Sequence, residues 1–292
     1  MKKIYLLLFA TVLTLGCNKM ETADLTEDNS VHFNVEHPAT RATDSAFEVA
    51  DKIGVYIAAY EGGKVLPLQI GGNYKSNIPL IYDGRKWNSD PIIYWDDNIE
   101  KYNVYAYYPY CIPTSVTEMP FSVALDQNKD DGIISAYEAS DFLYASSKGV
   151  TSVDGEVNLL FKHKMSKLTV NIVKGENYDG DIPEAASLYI HSTVPDCLID
   201  LSTGDVVKNP TAQTQTIIAK QVYPGTFTAI VVPQMINSKD PLIEIICNEV
   251  SYLVKSRFYF KSGTHHTINI VFDKNPEKVK IEIGGEIVEG WS

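Results

Sequence analysis

Apolar and polar residues alternate with a period of two along most of the chain, and no long stretch repeats at the 3.6-residue period of a helix. Val31, Phe33 and Val35 alternate with His32, Asn34 and Glu36. Ile53 to Ala59 is a β-rich run. From Tyr102 to Tyr110, Val104 and Ala106 alternate with Tyr105 and Tyr107, up to the break at Pro109. Val157, Leu159 and Phe161 repeat the pattern, as do Leu168, Val170 and Ile172. Further strands are expected at 187–191, 216–219, 226–232, 242–247, 251–260 and 267–272. Turn residues punctuate them: Glu61-Gly62-Gly63-Lys64, Asp83-Gly84, Ser202-Thr203-Gly204-Asp205, Asn248-Glu249 and Ser262-Gly263. One short helix is expected near His163–Lys167. Short strands spaced about ten residues apart indicate β-sandwiches rather than βαβ units.

Composition strengthens the all-β reading. The chain has 18 Tyr against 10 Phe and 3 Trp, and tyrosine favours half-buried strands. With 45% apolar and 21% charged residues over 292 positions, a full core is available and wholesale disorder is excluded. That length suggests two domains. The acidic stretch from Asp126 to Gly132, and the segment around Asp141, read as a long surface connection with a domain break just after it. The expected organisation is one sandwich over 31–158, a second over 159–276 and a C-terminal strand hairpin over 277–292. The net charge of -12 repels phosphate and argues against a nucleic-acid partner.

The N-terminus sets the expected address. Met1-Lys2-Lys3 is followed by a short apolar run from Ile4 to Leu15, the form of a secretory signal. About 12 residues is too short to span ~30 Å of hydrocarbon as a helix. The run ends Leu15-Gly16-Cys17, which resembles a bacterial lipobox. This implies a signal peptide over 1–16, acylation of Cys17 and anchorage in outer-membrane lipid. An acidic, polar stretch over 17–30 then reads as a flexible tether.

Signatures of chemistry are missing. The sequence has no His-Glu-x-x-His, Gly-x-Ser-x-Gly, phosphate loop or dinucleotide fingerprint. Neither catalytic residues nor cofactor or metal sites are expected. Asp126-x-Asn128-x-Asp130-Asp131-Gly132 resembles a calcium loop with one residue too many, and a solvated acidic turn is the expected reading. His265 and His266 are adjacent on a strand and therefore point to opposite faces. Cys111, Cys197 and Cys247 lack zinc spacing and read as small core residues, with room for one disulfide.

Four segments, in order, resemble motifs of the fimbrillin family, the subunits of type V fimbriae. Asp51-Lys52-Ile53-Gly54-Val55 is similar to its "D-x-I-G-V" strand, and Tyr102 to Pro109 to its aromatic strand ending in Tyr-Pro. Asp141-Phe142-Leu143-Tyr144-Ala145 resembles "D-L-L-Y-A", and Phe161 to Leu168 resembles "F-x-H-x-x-(A/S)-K-L". The resemblance implies two tandem transthyretin-like β-sandwiches, export as a lipoprotein and a structural rather than enzymatic role as stalk, tip or anchor. It implies other fimbrial subunits as partners, at the cell surface, in support of adhesion. The alternative is an outer-membrane glycan-binding lipoprotein, with platforms from Trp87, Trp95 or the tyrosines.

Two assembly expectations accompany the resemblance. An arginine-specific, trypsin-like protease would cut between Arg41 and Ala42, in the small, polar segment from Pro38 to Thr43. The first strand, with Val31, Phe33 and Val35, would then be displaced. Val279, Ile281 and Ile283 alternate in the same way and form the candidate donor strand for a neighbouring subunit. Asn275-Pro276 favours a break before this strand, and Gly284-Gly285 a turn after it.

Overall fold

The computed structural model describes residues 29–38, 46–130, 134–176, 178–182, 184 and 186–272, with backbone pairing alone for 280–282 and 289–290. Cys17, Arg41, Ala42, Val279 and Ile283 lie outside the described residues, as does the whole expected signal peptide. The fold is nearly all β, as the alternation requires.

The first half builds one large antiparallel sheet. Its spatial order is Lys162–His163, Leu143–Val150, Tyr102–Tyr108, Lys52–Glu61, Lys75–Tyr82 and Trp87–Ser89, with Lys64–Val65 folded back on Lys52–Glu61. Period-two alternation sends Tyr102, Val104 and Ala106 into one apolar cluster and Tyr105 and Tyr107 into another. Every residue from Tyr102 to Tyr107 is therefore buried. The sheet has a core on both faces, which is why this aromatic strand carries almost no charge.

The smaller cluster lies between this sheet and a two-stranded parallel pair, His32–Glu36 beside Glu156–Leu160. The larger cluster continues into the second half. There one sheet runs Lys220–Tyr223, Thr226–Val231, Ser166–Lys174, Thr264–Phe272, Lys280–Glu282. A second sheet runs Gln215–Ile218, Ser187–Thr193, Pro241–Cys247, Val250–Lys255. Leu168, Val170, Ile268 and Ile270 of one sheet share this cluster with Leu188, Ile190, Ile243 and Ile245 of the other.

The halves are stitched together by backbone as well as by side chains. Met119–Ser122 pairs antiparallel with Asp196–Asp200, which in turn pairs with Asp205–Lys208. Gln127 is fully buried, so the stretch from Asp126 is not the plain surface connection its acidity suggests. Fully buried Phe142 makes the same correction around Asp141. The strand Glu156–Leu160 runs across the expected boundary at 158/159 and pairs with the first strand.

Local differences have local causes. The segment expected to turn helical near His163–Lys167 is extended, in strands Lys162–His163 and Ser166–Lys174. Leu168, Val170 and Ile172 alternate too strictly to leave the ladder between two neighbouring strands. A one-turn helix lies instead at Ala136–Ala139, where Ser135 and Glu138 form a capping box. The run expected over 251–260 breaks at Ser256-Arg257 into Val250–Lys255 and Phe258–Phe260. The strand Lys75–Tyr82 was hidden by Pro79, which interrupts its alternation. Cys197 and Cys247 are buried, Cys111 is exposed, and all three are free thiols.

Gly54 has a specific reason to be glycine. A Cβ there would come within 2.4 Å of the Tyr107 ring on the adjacent strand. The Tyr107 hydroxyl lies 2.7 Å from Asn77 Oδ1 and 2.8 Å from the Cys111 carbonyl, two acceptors that share its single proton. Burial pushes its ionisation far above the usual tyrosine range.

Candidate functional site

The described part of the expected exchange site is the first strand and its seat. Val31 is buried, and Phe33 and Val35 are half-buried and pack against the smaller cluster. His32, Asn34 and Glu36 face solvent. The alternation expected from the sequence is thus the alternation present.

Backbone pairing holds the strand unevenly. Its start lies antiparallel to Ile93–Trp95: Val31 N–H donates to the Ile93 carbonyl at 2.8 Å, and Trp95 N–H donates to the Asn29 carbonyl at 2.9 Å. Its body runs parallel to Glu156–Leu160, with Phe33 beside Val157 and Val35 beside Leu159. The exposed Asn34 Nδ2 donates to Asn158 Oδ1 at 2.8 Å. Among the described residues no second strand pairs with His32–Glu36. That open side borders a cleft of about 350 Å³ lined by Phe33, Asn34, Val35, Trp87, Arg85 and Lys86, among others. The strand is an edge, seated by apolar side chains and a single ladder.

Beneath it, Val157 and Leu159 are fully buried, and Phe161, Ile93, Trp87 and Trp95 nearly so. Removing the strand would bare this apolar floor and the backbone edges of Glu156–Leu160 and Ile93–Trp95. The role of Ile93–Trp95 was not read from the sequence. Its signal is a short alternation, buried Ile93 and Trp95 against exposed Ile92 and Tyr94. With Trp87 and Trp95 both in the core, neither offers an open stacking platform for a sugar.

Just past the strand, the His37 ring packs edge-on against His163 at 6.0 Å and against Phe47 at 4.8 Å. Phe47 in turn contacts Trp87, Tyr108 and Phe161. His163 is buried, with Nδ1 2.7 Å from Asp141 Oδ2. The segments 141–145 and 161–168, which resemble "D-L-L-Y-A" and "F-x-H-x-x-(A/S)-K-L", therefore meet through this pair, as a core histidine with a partner. Asp51, next to Lys52–Glu61, accepts a hydrogen bond from Tyr108 at 3.3 Å, and burial pushes the Tyr108 phenol well above its usual range. These groups border a junction cleft of about 440 Å³ that reaches Lys167, Lys220 and His265 in the second half.

At the other end of the chain, Lys280–Glu282 pairs antiparallel with Thr264–Phe272, with Ile281 beside Ile270. Glu289–Gly290 pairs with Thr264 and His265 of the same strand. The tail thus lies on the edge of its own second-half sheet. His265 and His266 do face opposite ways: His265 Nε2 is 2.8 Å from Thr169 Oγ1, while His266 packs against the Phe258 ring. No cluster of metal-ligating side chains occurs among the described residues.

A profile of the fimbrillin-like family matches residues 40–291. The chain belongs to the fimbrillin-like family. Over 149 residues, 46% of its length, this fimbrillin-like chain is 27% identical to a Bacteroides ovatus protein provisionally named fimbrium tip subunit Fim1C. The match covers 26% of that protein, so the chain spans about a quarter of the length of this curated relative. Its fold resembles that of a solved Bacteroides uniformis protein provisionally described as a cell adhesion protein. The TM-score is 0.67 at 17% identity, covering 91% of this chain and 99% of the other. A second such protein, from Bacteroides ovatus, gives 0.66 at 19% identity, covering 87% and 94%. These two likenesses show the fold of the fimbrillin-like chain.

Proposed function

We propose that this fimbrillin-like chain is a structural subunit of a fimbrium at the cell surface, working by assembly rather than catalysis. One observation carries the reading: among the described residues, His32–Glu36 is an edge strand with one pairing partner, seated over an apolar floor. In this account the chain is exported as a lipoprotein acylated at Cys17. An arginine-specific protease cuts between Arg41 and Ala42. The first strand then departs, and the Val279-Ile281-Ile283 strand of a second copy or another subunit takes its place.

Energetics make the exchange reasonable. Burying Val31 and half-burying Phe33 and Val35 stabilises the strand by about 5 kcal/mol. Ordering six residues of a severed strand opposes this by roughly 1–2 kcal/mol each, and backbone hydrogen bonds return only about 1 kcal/mol apiece. Before cleavage the covalent link keeps the strand at high effective concentration; after it, docking is marginal. A donor attached to a folded subunit, with three β-branched apolar residues, competes well.

The glycan-binding alternative loses its tryptophan platforms to the core. The test is N-terminal sequencing of fimbriae purified from the native envelope. Assembled material should begin at Ala42. Fibres in which every copy still carries acylated Cys17 would exclude cleavage-driven assembly.

A further inference from the structure

The pairing of the first strand defines what any replacement must match, and it selects one register for the tail. This step rests on the strand-exchange reading above. We propose that the tail of a second copy enters the groove parallel to Glu156–Leu160, with Lys280 beside Glu156, Ile281 beside Val157 and Glu282 beside Asn158.

In the intact chain, His32 stands beside Glu156, Phe33 beside Val157, Asn34 beside Asn158 and Val35 beside Leu159. Placing Val279 where Val31 lies puts Ile281 and Ile283 in the Phe33 and Val35 seats. The solvent face then completes itself. Lys280 falls beside the exposed Glu156, an opposite-charge pair across the ladder. Glu282 falls where Asn34 now accepts no charge partner but donates to Asn158 at 2.8 Å. The Asn158 amide can turn its donor toward that carboxylate. Asn34 also lines the 350 Å³ cleft with Arg85, Lys86 and Glu156, so once Lys280 is paired with Glu156 a carboxylate there has two basic side chains in the same cleft.

Neighbouring registers are penalised. A register must shift by two to keep the apolar face inward. One shift sets Glu282 beside Glu156, a like-charge pair, and leaves Gly285 in the Val35 seat. The opposite shift keeps a lysine, Lys278, beside Glu156, but it drives Glu277 into the buried Val31 seat and puts Lys280 into the cleft that Arg85 and Lys86 line. Like charge at Glu156 therefore rejects the first shift and the burial of Glu277 rejects the second, and in the alignment that remains the Glu156–Lys280 pair acts as a specificity determinant for tails of this sequence.

The test uses the full chain cut after Arg41, followed as denaturant-resistant oligomers at low salt. Glu156→Lys and Lys280→Glu should each slow oligomer growth about tenfold, and the double reversal should restore it. Both single effects should fade near 0.5 M salt, where exposed charges are screened. Both positions tested are charged to charged at exposed or terminal sites, and an unchanged unfolding midpoint identifies each variant as folded. Glu156→Gln should show a smaller loss. If the double variant is no faster than the singles, or the singles match the parent, the register is wrong. If a chain lacking residues 277–292 oligomerises as well as the parent, the strand-exchange reading itself fails, whatever the charge variants do.

Discussion

Gln127 hydrogen-bonds both backbone groups of Ile230: its Nε2 donates to the Ile230 carbonyl at 2.7 Å, and its Oε1 accepts from the Ile230 N–H at 2.8 Å. One side-chain amide replaces a missing strand beside Thr226–Val231, where Lys220–Tyr223 has already ended. Gln234 does the same for Val194, at 3.0 and 2.9 Å. Gln127→Leu should leave two buried backbone groups unsatisfied and cost about 3 kcal/mol, read from denaturant unfolding. Because Gln127 lies in the connection between Tyr102–Tyr108 and Leu143–Val150 of the first-half sheet and Ile230 belongs to the second half, the loss should also loosen the joint. Faster proteolysis near residue 127 than in the parent would report that loosening; an unchanged unfolding midpoint would show that the pairing contributes nothing.

The glycine of the "D-x-I-G-V" segment is explained by a neighbour. Gly54→Ala places a methyl carbon 2.4 Å from the Tyr107 ring, in the centre of the first sheet. The expected cost is about 2–3 kcal/mol, through overpacking. Tyr107→Leu alone costs the hydroxyl's hydrogen bonding to Asn77 and the Cys111 carbonyl but frees the space. The double variant should therefore be more stable than the sum of the two single losses predicts, a coupling of about 1 kcal/mol or more in a double-mutant cycle. Strict additivity would contradict the contact.

A third expectation concerns pH. On the outer face of the second-half sheet, Glu244 accepts from Ser251 and lies 2.9 Å from His191 Nε2. Chiefly the Ser251 hydrogen bond, with His191 adding to it, lowers the Glu244 carboxyl below its ordinary value of 4.5. A folded pKa below the unfolded one means stability that is present above pH 4.5 and is lost as pH falls through the folded value. Glu244→Gln should thus destabilise the protein at pH 7. The gap to the parent should close as the medium is acidified below pH 4.5. A gap that persists unchanged at pH 3 would show that the charge is not involved.

Alternation made the strands legible. The seats of Val31, Phe33 and Val35, the strand Ser166–Lys174 and the opposite facing of His265 and His266 all follow from period two. Pairing partners were not legible, because periodicity says which face is buried and nothing of which edge meets which. The parallel ladder between His32–Glu36 and Glu156–Leu160 joins residues over 120 positions apart and has no local signature. Lys75–Tyr82 stayed hidden because Pro79 breaks its pattern. Acidity disguised Gln127 and Phe142 as surface, since one buried residue among many charges does not shift a composition average. Of the candidate site, the apolar positions could be read, whereas the clasp of Ile93–Trp95 and the packing of His37 on His163 depend on tertiary contacts.

The central claim is that a first strand leaves and a tail arrives, and two blocked variants test it together. Arg41→Ala keeps its first strand and can only donate; a chain lacking residues 277–292 can only accept. Each is treated with the arginine-specific protease, and the two are then mixed and run on a gel under mildly denaturing conditions. The account predicts no oligomers from either chain alone and one heterodimer band from the mixture, with nothing larger. Oligomers from either variant alone, or no heterodimer from the mixture while the parent chain polymerises, would contradict it.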